Sequence, residues 1–559
     1  MNPSRNVPDE FVFLPIGGVG EIGMNLALYG MGPSKARQWI AVDFGVSFAG
    51  PDLPGVDLVL PDIRYLEEQK ERLLGIVITH AHEDHFGALL DLWPRLRVPV
   101  YASAFTAGLL QAKRASYPGS PPIPIQIVTA GDRINLGPFE VEFVAVAHSI
   151  LEPMALAIRT SLGTVVHTGD WKLDPEPVLG WTTDAQRFAA IGDEGVLALV
   201  CDSTNAMREG RSPSESDVAR ELEALVGEAT GRVAFTSFAS NVARIRSIAM
   251  AAQAHDRQVV IVGRALRRAI EVATELGYME GVPPFLDEEA YGYLPRSKVV
   301  AIFTGSQGES RAALARIAED EHKFIGLSPG DIVVFSARAI PGNEKAIGAI
   351  INALVDQGVQ VITDRDRLVH VSGHPRRDEL AEMYGWVRPE IAIPVHGEPM
   401  HLVAHAALAR EMGVGQVLDV EDGALIRLAP GPAQEIDEVL CDRLYKDGII
   451  VADLEGVGVP ERRKLSFAGH VAVSVILDGN GSLMLDPDIA LTGLPLQGVS
   501  WHPFEETVMS AVLGTIESIP RARRRDSELL REAIRRAVRA AVREAWGKKP
   551  LCTVFVAVV

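Results

Sequence analysis

Thiols are scarce. Cys201, Cys441 and Cys552 are the only cysteines in 559 residues, and no two form a CxxC pair. That argues against a disulfide framework and against a thiolate zinc site. Each lies in or beside an apolar run, so three buried, inert thiols are expected. Long apolar runs are missing too: nothing approaches the roughly 18 residues a membrane-spanning helix needs, and no membrane association is expected. The opening "MNPSRNVPDEFVFLPIGG" lacks the apolar core and small-residue cleavage site of a secretory leader, so a cytoplasmic location is expected. Basic residues are outnumbered, 54 Lys and Arg against 73 Asp and Glu, for a net charge of −19. Nonspecific binding of nucleic acid over the whole surface is therefore disfavoured, although a local basic channel is not. There is no internal repeat and no long low-complexity tract.

What is present suits a large soluble protein of three or four domains: 47% hydrophobic and 23% charged residues. The first third alternates short β-rich runs with turns, as in "EFVFLPIGG", "WIAVDFG", "FEVEFVAVAH" and "TVVHTGD". From about residue 213, helix-like and strand-like runs alternate, which is the βαβ rhythm of a parallel sheet. From 365 to 450, polar loops again follow strands, as in "LVHVSGHP" and "IAIPVHGE". Beyond about 456, "HVAVSVILDGNGSLML" reads as a β-hairpin, followed by a basic helix and a final strand "LCTVFVAVV".

Several of the β-rich runs end in residues that bind metals. "THAHEDH" places His80, His82, Asp84 and His85 just after an apolar strand. Imidazole and carboxylate are the usual donors to Zn²⁺ and similar ions. His148 in "VAHS", Asp170 in "HTGD" and His396 in "PVHGE" occupy the same kind of position. One site is expected from His80, His82, His148 and Asp170, and a second from Asp84, His85, His396 and Asp170, with Asp170 bridging the two. The plainer alternative is a solvated charged loop, but HxHxDH after a strand is a specific pattern. Zn²⁺ is the choice these ligands favour, with Mn²⁺ or Mg²⁺ as alternatives.

"HAHEDH", "AHS", "HTGD" and "HGE", in this order, resemble the metallo-β-lactamase superfamily, with Asp43 of "VDFG" matching its first motif. The resemblance implies an α/β fold: an αββα sandwich with a dinuclear metal site at one edge. About 200 residues separate "HTGD" from "HGE". This insertion resembles the β-CASP domain of the superfamily's nucleases. Asp202 in "CDSTNA", His374 in "HVSGHP" and His396 resemble that group's motifs A, B and C. A histidine at motif C is typical of members acting on RNA, whereas valine is common in those acting on DNA. With "LPIGGVGEIGMN", "FASNVARI", "TGSQGE" and "IPGNE", the chain is similar to the ribonuclease J family over nearly its whole length. Departures stand at "GRALRR", at Ala337 and Arg338, and at Pro375, Arg376 and Arg377. The implied domains are a metallo-β-lactamase domain over 1–212 and 365–450, a β-CASP domain over 213–364, and a linker with a small C-terminal α/β domain over 451–559.

The activity implied by the resemblance is hydrolysis of RNA phosphodiesters with two divalent ions per chain. It is a 5′-to-3′ exonuclease preferring 5′-monophosphate ends, with some endonuclease action, in mRNA decay and rRNA maturation. Asp170 then holds the bridge, His374 protonates the leaving oxygen or stabilises the transition state, and Asp202 orients a ligand. Ser336, Ser372, Gly373 and His374 are expected to cradle a terminal phosphate. Ser240 and Asn241 are expected to bind a backbone phosphate, the alternative being a helix cap by Ser240. Phe48 is expected to stack on a base unless it is a core residue. "RARRRDSELLREAIRRAVRAAVREAW" is basic enough to bind RNA, but by resemblance its domain supports homodimers or homotetramers. Single-stranded RNA is the expected partner, with an RNA-degradation complex or the ribosome as further partners. Rival readings are a metallo-hydrolase of a small ester, thioester or lactam, a noncatalytic RNA scaffold, and a DNA nuclease.

Overall fold

The computed structural model describes residues 8–117, 119–340, 342–499 and 501–559. The chain divides into two units, Met1–Ser47 with Val59–Arg443, and Phe48–Leu58 with Leu444–Val559.

In the first unit, strands covered on both faces read as unbroken apolar runs. Glu10–Gly17 is buried from Phe11 onward and pairs antiparallel with Leu26–Gly32. Both lie in an eight-stranded sheet that also holds Gln38–Val42, Leu73–Val77 and Val100–Ala102. A seven-stranded sheet contains Phe139–Ala145, Met154–Thr160, Gly163–His167, Ala198–Asp202 and Ile391–Val395. The sheets share one core. Phe11, Phe13 and Tyr29 come from the first, and Phe143, Leu156, Val200 and Ile393 from the second. Helices cover the outer faces. Phe188, Leu380, Met383 and Leu408 pack on the second sheet, and Tyr65 meets Trp39 edge-on at 5.6 Å on the first. The helix–sheet–sheet–helix sandwich matches the expected fold.

A third sheet of five parallel strands runs in the order Gln258–Val262, Val299–Phe303, Val233–Thr236, Ile332–Phe335 and Gln360–Ile362. Its strands alternate with helices, as the βαβ rhythm implies, and it has its own core. The chain then returns to the second sandwich sheet at Ile391–Val395, beside Ala198–Asp202.

In the second unit the sheet order is Asp488–Thr492, His470–Leu477, Leu551–Val558. The alternating Val471, Val473, Val475 and Leu477 pack beneath the helices Phe504–Ser518 and Ser527–Trp546. One expectation is only partly met. The run after "DGNG" turns back through the Asp478 carboxylate, which accepts from the N–H groups of Asn480 and Ser482, but it pairs with the strand only at one antiparallel bridge, Leu477 with Leu483. The antiparallel partner is Asp488–Thr492 instead. The buried stripe of the long helix is Leu530, Ile534, Val538 and Val542.

The cysteines also differ from expectation. Cys201 is buried, but Cys441 and Cys552 are partly exposed. Burial nonetheless pushes all three thiols up, Cys201 and Cys441 to about 12 and Cys552 to about 11, so none is a thiolate near neutral pH. Among the described residues, no helix is long and apolar enough to cross a membrane.

Candidate metal centre

Strand direction gathers the site. Gly163–His167, Ala198–Asp202 and Ile391–Val395 are parallel, so the residues following or ending them, Asp170, Asp202 and His396, emerge at one edge. Gln38–Val42 and Leu73–Val77 are likewise parallel in the other sheet and deliver Asp43 and the His80–His85 loop. Asp43 and His396 hold positive φ, 64° and 53°, a conformation that non-glycine residues seldom adopt. Such strain persists where the surrounding structure over-determines the residue, as at functional sites.

The metal-type side chains converge on Asp170. Ligand atoms of His80, His82, His148 and Asp170 lie within 4.8 Å of one another, as do those of Asp84, His85, Asp170 and His396. A third set joins Asp170, Asp202, His374 and His396. The Asp170 Oδ2 is 3.3 Å from His85 Nε2, 3.6 Å from His148 Nε2 and 3.7 Å from His80 Nε2. The Asp170 Oδ1 is buried, 3.7 Å from His396 Nε2, with no hydrogen-bond partner. His82 Nδ1 lies 3.1 Å from both His80 Nε2 and His148 Nε2.

Electrostatics reinforce the geometry. Burial lowers the pKa of His80 and His148, and brings His82 to about 4, so these rings are neutral. Burial also opposes charge on His85, His396, Asp84 and Asp170, but their mutual attraction outweighs it. The two histidines are raised and the two carboxylates lowered. Neutral nitrogens beside an orphaned carboxylate oxygen match the donor chemistry of divalent cations. A cation here would replace the protons that the cluster otherwise holds.

Four of the five ligand rings are aimed by their other nitrogen. His85 Nδ1 is 2.7 Å from Asp43 Oδ2, and Asp43 also accepts from the Thr79 N–H and hydroxyl. His80 Nδ1 is 3.0 Å from Thr79 Oγ1, and His396 Nδ1 is 2.8 Å from Thr204 Oγ1. His148 Nδ1 is 2.7 Å from the Gly373 carbonyl. A Cβ on Gly373 would lie 2.5 Å from the His148 ring, so only glycine fits there. The Asn25 amide donates to the Asp84 carbonyl. Of these supporting groups only Asp43 is legible in the sequence. Thr79 and Thr204, adjoining "HAHEDH" and "CDS", carry the one local hint.

His374 and Asp202 form a separate pair at the site's edge, with Nδ1 to Oδ2 at 2.7 Å. Burial disfavours charge on His374, but Asp202 and Asp170 raise its pKa above the usual value. Asp202 also lies 3.5 Å from His396 Nδ1. The Asn205 amide ties this region together, donating to Ser372 Oγ at 2.9 Å and to the His374 carbonyl at 3.1 Å.

The expected phosphate donors fare differently. Ser372 lies beside His374 and is half-buried. Ser336 is corrected: its hydroxyl donates to the Val369 carbonyl at 2.7 Å and accepts from Arg244 at 2.6 Å, leaving no proton for a phosphate. The cap of the helix Val242–Ala254 is Asn241 rather than Ser240, its side chain accepting from the Arg244 N–H, so the Asn241 oxygen is occupied within the protein. Phe48 is 66% exposed, which removes the core alternative, and it groups with the second unit. His167 is held by the Tyr29 hydroxyl at 2.9 Å, away from the ligand sets. Burial and the charges of Arg244, Arg338 and Lys172 keep His370 neutral.

Residues 38–188 match the beta-lactamase superfamily domain, and 358–418 the Zn-dependent metallo-hydrolase RNA specificity domain. Residues 230–354 match the ribonuclease J beta-CASP domain and 457–559 the ribonuclease J C-terminal domain. Ribonuclease J of Sinorhizobium meliloti is 60% identical over 551 residues, covering 99% of this chain and 98% of that one. Ribonuclease J of Mycolicibacterium smegmatis is 38% identical over 558 residues, covering 98% and 97%. The fold alone is shared with a crystal structure of a protein of unknown function from Enterococcus faecalis. That structure is 17% identical with a TM-score of 0.53, and the match covers 75% of this chain and 100% of that one. With its site, its sandwich and its inserted parallel sheet, this chain belongs to the ribonuclease J family.

Proposed function

We propose that the chain is a metal-dependent ribonuclease hydrolysing RNA phosphodiesters. It acts 5′ to 3′ on RNA with 5′-monophosphate ends and makes internal cuts as a lesser activity, in mRNA decay and rRNA maturation. The observation that carries this reading is the convergence of two His/Asp sets on buried Asp170, whose Oδ1 has no partner of its own. His80, His82, His148 and Asp170 would hold one ion, and Asp84, His85, His396 and Asp170 a second. The imidazole-rich donor set favours Zn²⁺. When bound, such ions supply Lewis acidity and make hydroxide available near neutral pH.

The protein's own groups do the rest. Asp43, Thr79, Thr204 and the Gly373 carbonyl fix the ligand rings before substrate arrives. Asp202 holds Nδ1 of His374, which leaves Nε2 to carry a proton to the departing 3′-oxygen. Its raised pKa, set by Asp202 and Asp170, favours the protonated ring. Ser372 supplies a hydroxyl beside His374 for a phosphate oxygen. The protein works in the cytoplasm as a homodimer or homotetramer.

The test is single-stranded RNA labelled at a 5′-monophosphate, with and without chelator, beside an Asp84→Ala/His85→Ala protein. Labelled mononucleotide is expected, abolished by chelator and absent with the double variant. Internal fragments alone would make it an endonuclease. No cleavage with Zn²⁺, Mn²⁺ or Mg²⁺ would refute the ribonuclease reading.

A further inference from the structure

The helix Ser527–Trp546 carries two stripes of four-residue spacing. Ile534, Val538 and Val542 are buried against the sheet of the second unit. One position further on, Arg535, Arg539 and Arg543 line a groove of about 710 Å³, joined by Arg536 and Lys549. Two carboxylates, Glu532 and Glu544, lie in the same lining. Glu532 is taken up by Arg535 and Arg536, at 2.7 and 2.6 Å. Arg539, Arg543 and Lys549 have no acidic partner within 4 Å among the described residues. The Arg539 Nε is buried with no hydrogen-bond partner.

Three cations with no ion-pair partner, against the single unpaired carboxylate Glu544 in the same lining, stand out on a chain of net charge −19. Four residues of helix rise about 6 Å, so the arginine stripe presents charge in steps comparable to the phosphate spacing of an extended single strand. A row of guanidinium groups with no acidic partner is the chemistry that holds a phosphate backbone without regard to sequence.

We propose that this groove is a docking track for single-stranded RNA, taking a stretch of substrate other than the one being cleaved. The proposal rests on the ribonuclease reading above. The test uses the full-length holoenzyme with Arg539→Gln/Arg543→Gln and its Arg539→Lys/Arg543→Lys counterpart. Substrates are 5′-monophosphorylated RNAs of roughly 5 and roughly 30 nucleotides, one at the lower end of single-strand site sizes and one well beyond them.

For the glutamine pair, KM for the long RNA is expected to rise about tenfold. Its kcat, and both constants for the short RNA, stay at wild-type values. The slope of log(kcat/KM) against log salt falls by about 1.4, for two lost phosphate contacts. The lysine pair keeps most of the long-RNA affinity. Unchanged KM for the long RNA, or equal losses on both RNAs, overturns the proposal. A change in sedimentation mass with RNA constants unchanged also overturns it and makes the groove an interface between copies. If the wild type cuts neither RNA, the ribonuclease reading falls on its own, and anisotropy binding of the same two RNAs still decides the groove.

Discussion

Asp202 acts on two rings at once, 2.7 Å from His374 and 3.5 Å from His396. Asparagine keeps its size and removes its charge. Asp202→Asn is expected to lower kcat by about 10–100-fold with little change in KM, the usual range for a group that orients another. The pH profile should move as well. A raised His374 pKa keeps the ring protonated to higher pH, and Asp202 is the larger of the two charges that raise it. The variant should therefore lose its alkaline limb at lower pH than wild type. An unchanged profile would show that His374 does not carry the titrating proton.

Asp422 makes a second residue-level case. Burial and the Glu21 carboxylate push it up to about 7, although it accepts from the Val19 N–H at 3.2 Å. Unfolded, it ionises near 4. Between those values the fold holds a proton that the unfolded chain has released, so stability falls as pH rises, and above about 7 the loss is complete. Asp422→Asn keeps the acceptor and never ionises. It should gain on the order of 2–4 kcal/mol over wild type at about pH 8 and little at about pH 5. A gain in melting temperature that is the same at both pH values would contradict the assignment. Nothing in "DVEDGAL" marks Asp422, because its burial beside Glu21 is made by chain segments some 400 residues apart. The "HAHEDH" histidines were legible for the opposite reason: their spacing is local and the apolar strand before them is plain.

At the scale of elements, Arg244 joins four segments. Its guanidinium pairs with Glu215 at 2.6 and 2.9 Å, and reaches Ser336 and the Val369 carbonyl, the latter at 2.9 Å. It thus clamps the first turn of Glu215–Glu228 and the end of Ile332–Phe335 to the chain leading into Ser372 and His374. Removing one member of a buried pair strands the other. Arg244→Met should cost about 3–5 kcal/mol in urea unfolding, and Arg244→Met/Glu215→Met should recover part of that. Arg244→Lys should not substitute, because a point charge lacks the fork. If the single and double variants were equally unstable, the packing of the helix rather than the ion pair would be responsible. Such a clamp is hidden in sequence, where "NVARIRS" reads as a helix with solvated arginines. Strand existence, the βαβ rhythm and the strand-end placement of the ligands were readable from apolar period. The partner of His470–Leu477 was not, since the same "DGNG" signal serves a full hairpin or a turn closed by one bridge.

For the molecule as a whole, the ligand sets bring together residues from His80 to His396, so the centre closes contacts across most of the first unit. A cation that binds only the folded form adds its binding free energy to that unit's stability. The second unit has its own core, from Val471 to Val554, and among the described residues contributes none of the clustered ligands. Calorimetry of the full chain should therefore give two transitions. Chelator should lower the melting temperature of one and leave the other in place. Acidification should have the same selective effect, because neutral histidines must be protonated as the ions leave. Limited proteolysis during the scan identifies the unit that opens first. Equal shifts of both transitions would mean that the units unfold together, and no shift would mean that the His/Asp cluster holds no cation. In that last case the mutual attraction of His85 and His396 with Asp84 and Asp170 would suffice to keep the cluster folded without an ion.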